Sequence, residues 1–90
     1  MQRFDVDVRK PARRQIRKLS PPVARRILEA LNTLADDPHP RGDTVVRLKG
    51  HQNLYRLRVG DWRVVYELAG RTVSVLEVAK REEIYRRGGF

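Results

Sequence analysis

Ninety residues are enough for one domain around a single modest core and leave no room for a second, so one domain spanning 1–90 is expected. Twenty Lys and Arg against eleven Asp and Glu give a formal charge of +9, which makes a polyanion, either a nucleic acid or an acidic protein, the first class of partner to consider. The absence of cysteine excludes a disulfide framework, a thiolate nucleophile and a Cys-type zinc site; "MQRFDVDVRK" is charged throughout, no apolar run reaches the length of a signal or membrane span, and a cytoplasmic protein is expected.

"RFDVDV" alternates, with Phe4, Val6 and Val8 on one face and acids between them, the period-2 pattern of a strand. "KPARRQIRKLS" places Ala12, Ile16 and Leu19 at helical spacing among basic residues, and Pro11 suits a first helical turn. A second, longer helix is expected from "SPPVARRILEALNTLADDP". Ser20 would be its N-cap, prolines its first turn and Ala24, Ile27, Leu28, Leu31, Leu34 and Ala35 its apolar stripe, with an end near Asp37-Pro38. "HPRGDT" reads as a turn-rich loop, and "VVRLKGHQN" as a stretch with a few extended residues. "LYRLRVGDWRVVYEL" is a hairpin, and "RTVSVLEVAKR" a further strand reached through a turn at Gly70. The tail "EEIYRRGGF" adds a helical turn and then frays at Gly88-Gly89. The order β-α-α-β-β-β implies an α+β fold, a small antiparallel sheet with two N-terminal helices packed on one face and the other face open.

The hairpin carries the chemistry. If Gly60-Asp61 is a two-residue type II′ turn, counting outward pairs Val59 with Trp62, Leu57 with Val64 and Tyr55 with Tyr66, which makes one apolar face. On the opposite face Arg58 lies across from Arg63, with Arg56 two residues along, so three guanidiniums share a patch with spacings of roughly 5 to 8 Å. Like charges placed opposite each other cost up to about 1 kcal/mol. A solvated basic face accounts for the pattern; an anion site, for phosphate, also accounts for its cost. Arginine supports the second reading, since it forks onto phosphate where lysine acts as a point charge. "VLEVAKREEIY" brings Lys80 and Arg81 to a strand end, with Tyr85 one helical turn beyond Arg81. Cations for a phosphate and an aromatic for a base are the combination that holds single-stranded nucleic acid. Glu77, among apolar neighbours, points to a register break.

With these residues in place the chain resembles the RelE branch of the RelE/ParE toxin superfamily. The likeness runs through the helix pair with "RKL", then "RLKGHQNLYRLRVGDWRVVYEL", then "VLEVAKREEIYRR", and covers nearly the whole length. It implies a toxin neutralised by a cognate antitoxin and a metal-independent, cofactor-free endoribonuclease that cleaves messenger RNA in the ribosomal A site. In such toxins the substrate's 2′-hydroxyl attacks the adjacent phosphate, giving a 2′,3′-cyclic phosphate and a free 5′-hydroxyl.

By position, Arg63 matches the arginine that holds the scissile phosphate, Arg81 the one that stabilises the leaving group, and Tyr85 the tyrosine that stacks on a substrate base. Arg56 and Arg58 complete the catalytic set, and Arg47, Lys49 and Lys80 are expected to bind RNA. Arg56 and Arg58 depart from the family, whose well-studied members have lysines there. A guanidinium with a pKa above about 12 is no base at neutrality, so either orientation and electrostatics suffice or another residue, Lys49, His51 or Glu77, takes the proton. His39 is left out. Arg63 and Arg81 are expected outside the core. Two rivals share the scaffold: a ParE-type toxin that acts on DNA gyrase without nuclease chemistry, and a binding module whose basic surface only holds the antitoxin or RNA.

Overall fold

The computed structural model describes residues 3–86 of the chain, so the expected fraying at Gly88-Gly89 falls outside the described residues. The element order is β1 (Asp5–Val8), α1 (Lys10–Arg17), α2 (Pro21–Asp36), β2 (Val45–Arg47), β3 (Leu54–Val59), β4 (Trp62–Ala69), β5 (Thr72–Lys80) and α3 (Arg81–Arg86). All expected segments form, and the extended residues of "VVR" become a fifth strand. The strands make one sheet in the order β1-β5-β4-β3-β2. The meander from β2 to β5 is antiparallel, but β1 pairs with β5 in parallel, Val6 opposite Val73 and Val8 opposite Val75. The helix pair forces this arrangement: α1 and α2 carry the chain back over the sheet, and the first strand is left for the far edge.

Proline in the first turn starts both N-terminal helices, and Ser20 occupies the N-cap of α2 with extended backbone but no side-chain hydrogen bond. Ala12, Ile27, Leu31 and Leu34 from the helices meet Val45, Leu57, Val64, Tyr66, Val73, Val75 and Val78 from the sheet in the main core. Leu28 departs from the expected stripe. It is 53% exposed, on the flank of α2 beside β1, while Val23 packs against the core instead. The opposite sheet face is only partly open, because Leu48 and Ile84 cover Val65 and Ala79 in a second, smaller cluster.

Two features hold the sheet in its shape. Tyr66 stacks on Tyr55 with ring centroids 5.6 Å apart, and its buried hydroxyl donates to the Pro38 carbonyl at 2.6 Å, tying β4 to the exit of α2. Burial pushes this phenol's pKa above the ordinary tyrosine range. In β5 the register shifts, so that Val65 faces Glu77 but Tyr66 faces Val75. This is the break that Glu77 announced. At the bulge Gln15 of α1 donates to Glu77 at 3.3 Å and accepts from the Val78 backbone N–H at 2.7 Å.

A candidate anion site built from arginines

The β3–β4 turn sets the geometry. Gly60 has φ +59°, and no non-glycine residue among those described has positive φ, which leaves Asp61 at negative φ as a type II′ turn requires. The expected register follows in full: Val59 opposite Trp62, Arg58 opposite Arg63, Leu57 opposite Val64, Tyr55 opposite Tyr66. The turn's carbonyls then act as anchors. Arg63 donates through Nη1 to the Gly60 carbonyl at 2.7 Å and to the Trp62 carbonyl at 2.9 Å, and the Arg81 backbone N–H donates to the Asp61 carbonyl at 2.9 Å. One tight turn thus fixes both a guanidinium and the start of α3.

Arg56, Arg58, Arg63 and Arg81 line one cavity of about 270 Å³, together with Asp43 and Val46. That lies just below the usual range of small-molecule sites, ~300–1000 Å³, and leaves ample room for a phosphate group. Among the described residues, four guanidiniums and one carboxylate line it. Their mutual repulsion falls when an anion enters, so the cavity is preorganised for a negative charge.

Arg63 is the correction here. It is 8% exposed and so belongs to the interior, not the surface. Its side chain lines the cavity, and the turn carbonyls replace the water it loses. Arg58 and Arg81 remain exposed and Arg56 half-buried.

The other expected residues whose side chains are described do not join the cavity. Lys80 extends to the helix-covered side, its Nζ 5.9 Å from the Trp62 ring centroid. Arg47 and Lys49 line a separate depression with Leu48, Gly50, His51 and Gln52. Glu77 is engaged by Gln15, and His39 pairs with Asp37 at 2.9 Å. The His39 backbone N–H and then its ring hold the Asp37 carboxyl below its ordinary pKa. Tyr85 belongs to α3, and its side chain lies outside the described structure. Among the described residues, no three His, Cys, Asp or Glu side chains converge as a metal site would require. Sequence reasoning missed Asp43. The only signal was its place in the "RGDT" turn just before β2.

A small sheet with helices on one face and an arginine cavity on the other defines a basic, anion-binding class of α+β domain, and comparison places it. Residues 6–85 match the ParE toxins of type II toxin-antitoxin systems, and the chain belongs to that family, within the RelE/ParE superfamily. A protein of Methanocaldococcus jannaschii designated a candidate toxin, RelE1, is 29% identical over 87 residues, covering 93% of this chain and 97% of the relative. The fold is similar to that in the archaeal RelE-RelB complex from Pyrococcus horikoshii OT3, with TM-score 0.75 and 30% identity over 87% of this chain and 94% of that one. It is also similar to a variant of E. coli toxin RelE in the free state, with TM-score 0.76 and 25% identity over 94% of this chain and 93% of that one. No helix among the described residues is long and apolar enough to cross a membrane.

Proposed function

We propose that this toxin acts as a metal-independent endoribonuclease that cleaves messenger RNA in the ribosomal A site and so stops translation. The observation that carries the reading is the convergence of Arg56, Arg58, Arg63 and Arg81 on one cavity with room for a phosphate. A reaction in which the 2′-hydroxyl attacks its own phosphate needs the reacting groups held in line and the extra charge of the pentacoordinate phosphorus neutralised. Arg63, rigid on the turn, grips the phosphate oxygens. Arg81, exposed at the start of α3, faces the departing 5′-oxygen, while Arg56 and Arg58 neutralise charge from β3. Tyr85, four residues beyond Arg81, stacks on a substrate base. Arg47 and Lys49, in the neighbouring depression, and Lys80, at the end of β5, lie outside the cavity and contact RNA beyond the scissile phosphate.

A cognate antitoxin partners the toxin, as RelB does RelE in the similar complex from Pyrococcus horikoshii. The +9 charge favours an acidic segment that orders on binding. The second reading is a ParE-type toxin that acts on gyrase, favoured by the family match over residues 6–85. Purified protein tested in a translating extract and in a gyrase supercoiling assay separates the two. Cut messages with unimpaired supercoiling support the nuclease; intact messages with blocked supercoiling support the ParE-type activity.

A further inference from the structure

The arginine cavity lacks an evident proton acceptor among the residues first considered. A guanidinium is no base at neutrality, Lys49 and His51 line a different depression, and Glu77 is held by Gln15 on α1. Among the described residues one other ionisable group lines the cavity: Asp43. It sits in the turn before β2, where Gly42 adopts φ +52° and the Thr44 N–H donates to the Arg41 carbonyl at 3.2 Å. The next residue along, Thr44, accepts the Arg58 backbone N–H through its carbonyl at 2.8 Å, which locks the turn to β3 beside the cavity. Among the described residues the Asp43 side chain forms no hydrogen bond or ion pair, so the turn does not consume its carboxylate.

We infer that the Asp43 carboxylate accepts the proton of the attacking 2′-hydroxyl; the inference rests on the nuclease reading of the same cavity. The sign of its charge argues against a role in binding. A carboxylate in a phosphate site repels the ligand, so its contribution there is to chemistry. Arginines on β3, β4 and α3 line the same cavity, so a phosphate held by them lies beside this carboxylate. In the step, the 2′-oxygen bonds to phosphorus as its proton passes to Asp43. The bond from phosphorus to the 5′-oxygen breaks, and that oxygen leaves beside Arg81 and takes a proton from water. Asp43 returns its proton to the resulting hydroxide, so no water is consumed and the cyclic phosphate is the product.

The test compares wild type, Asp43→Asn and Asp43→Glu for cleavage of messenger RNA on programmed ribosomes. Binding to the same message with a 2′-methoxy group at the cut site is measured in parallel. The expected result for Asp43→Asn is a fall in cleavage rate of about 10²- to 10⁴-fold with binding unchanged or tighter, and partial recovery in Asp43→Glu. Wild-type cleavage should also show no acid limb near the imidazole pKa of about 6.5. Asp43→Asn that cuts as fast as wild type makes Asp43 a counter-ion only and overturns the inference alone. A wild-type limb near pH 6.5, or loss of RNA binding with loss of cleavage, overturns it too. Wild type that cuts nothing fails the nuclease reading, and the inference with it. Circular dichroism checks the fold, with Asp43→Ser as a second side chain that lacks a base.

Discussion

Gly60→Ala tests whether the β3–β4 turn holds the arginine cavity together. The substitution meets two obstacles. The backbone sits at φ +59°, where an L side chain is strained, and a Cβ built there would lie 2.9 Å from Nη2 of Arg26, reaching over from α2. These differ in cost. Arg26 ends in a flexible guanidinium that can swing aside, whereas the backbone strain, about 1 to 3 kcal/mol, stays unless the turn changes type. A changed turn moves the Gly60 and Asp61 carbonyls, and with them the anchors of the Arg63 guanidinium and the Arg81 backbone. Denaturant unfolding should therefore show Gly60→Ala destabilised by about 1 to 3 kcal/mol, and cleavage should fall by about 10- to 100-fold, as expected when catalytic groups are displaced by an ångström. The double variant with Arg26→Ala should recover little of either loss. Full recovery in the double variant would show that the Arg26 contact, not the turn, sets the cost; wild-type stability and activity in Gly60→Ala would refute the anchoring role itself.

The remaining predictions concern the interior. Tyr66→Phe leaves the buried Pro38 carbonyl without its donor and should cost about 1 to 3 kcal/mol in denaturant unfolding. The raised pKa of Tyr66 has a definite sign: below about pH 10 both states keep the phenolic proton, and above it the unfolded chain releases a proton that the folded chain retains. Stability should thus decline as pH rises past about 10, and near-ultraviolet absorbance should show one tyrosine titrating only as the fold is lost. Arg63→Ala should lose stability as well as activity, because it removes two bonds to turn carbonyls from an interior position; calorimetry should give a lower Tm than for Arg81→Ala, whose side chain is exposed.

What could be read from the sequence depended on how local its cause was. The hairpin register followed from Gly60-Asp61 alone, since a two-residue turn sets every pair beyond it. The helix starts were equally local, set by Pro11 and by Ser20 with the prolines after it. Glu77 marked the bulge because an acid breaks the apolar alternation of a buried strand. Features set by distant parts of the chain were not legible. Leu28 lies at the rim of the α2 stripe, and only the position of β1 decides that it stays exposed. The parallel pairing of β1 depends on the return path of both helices. Arg63 looked like a surface residue because its cross-strand partner Arg58 is one; its burial goes with the hydrogen bonds that fold its guanidinium back onto the turn carbonyls. Asp43 entered the site through the fold of a turn whose residues carry no periodic signal.

The central claim is that the arginine cavity cuts RNA. The most direct test expresses wild type and Arg81→Ala from a tightly repressed promoter and maps messenger RNA 5′ ends by primer extension. The account predicts cuts within translated codons for wild type and a loss of about 10²-fold or more in Arg81→Ala, with the fold intact. Growth arrest by the wild type with every message whole, or cuts undiminished in Arg81→Ala, would contradict it.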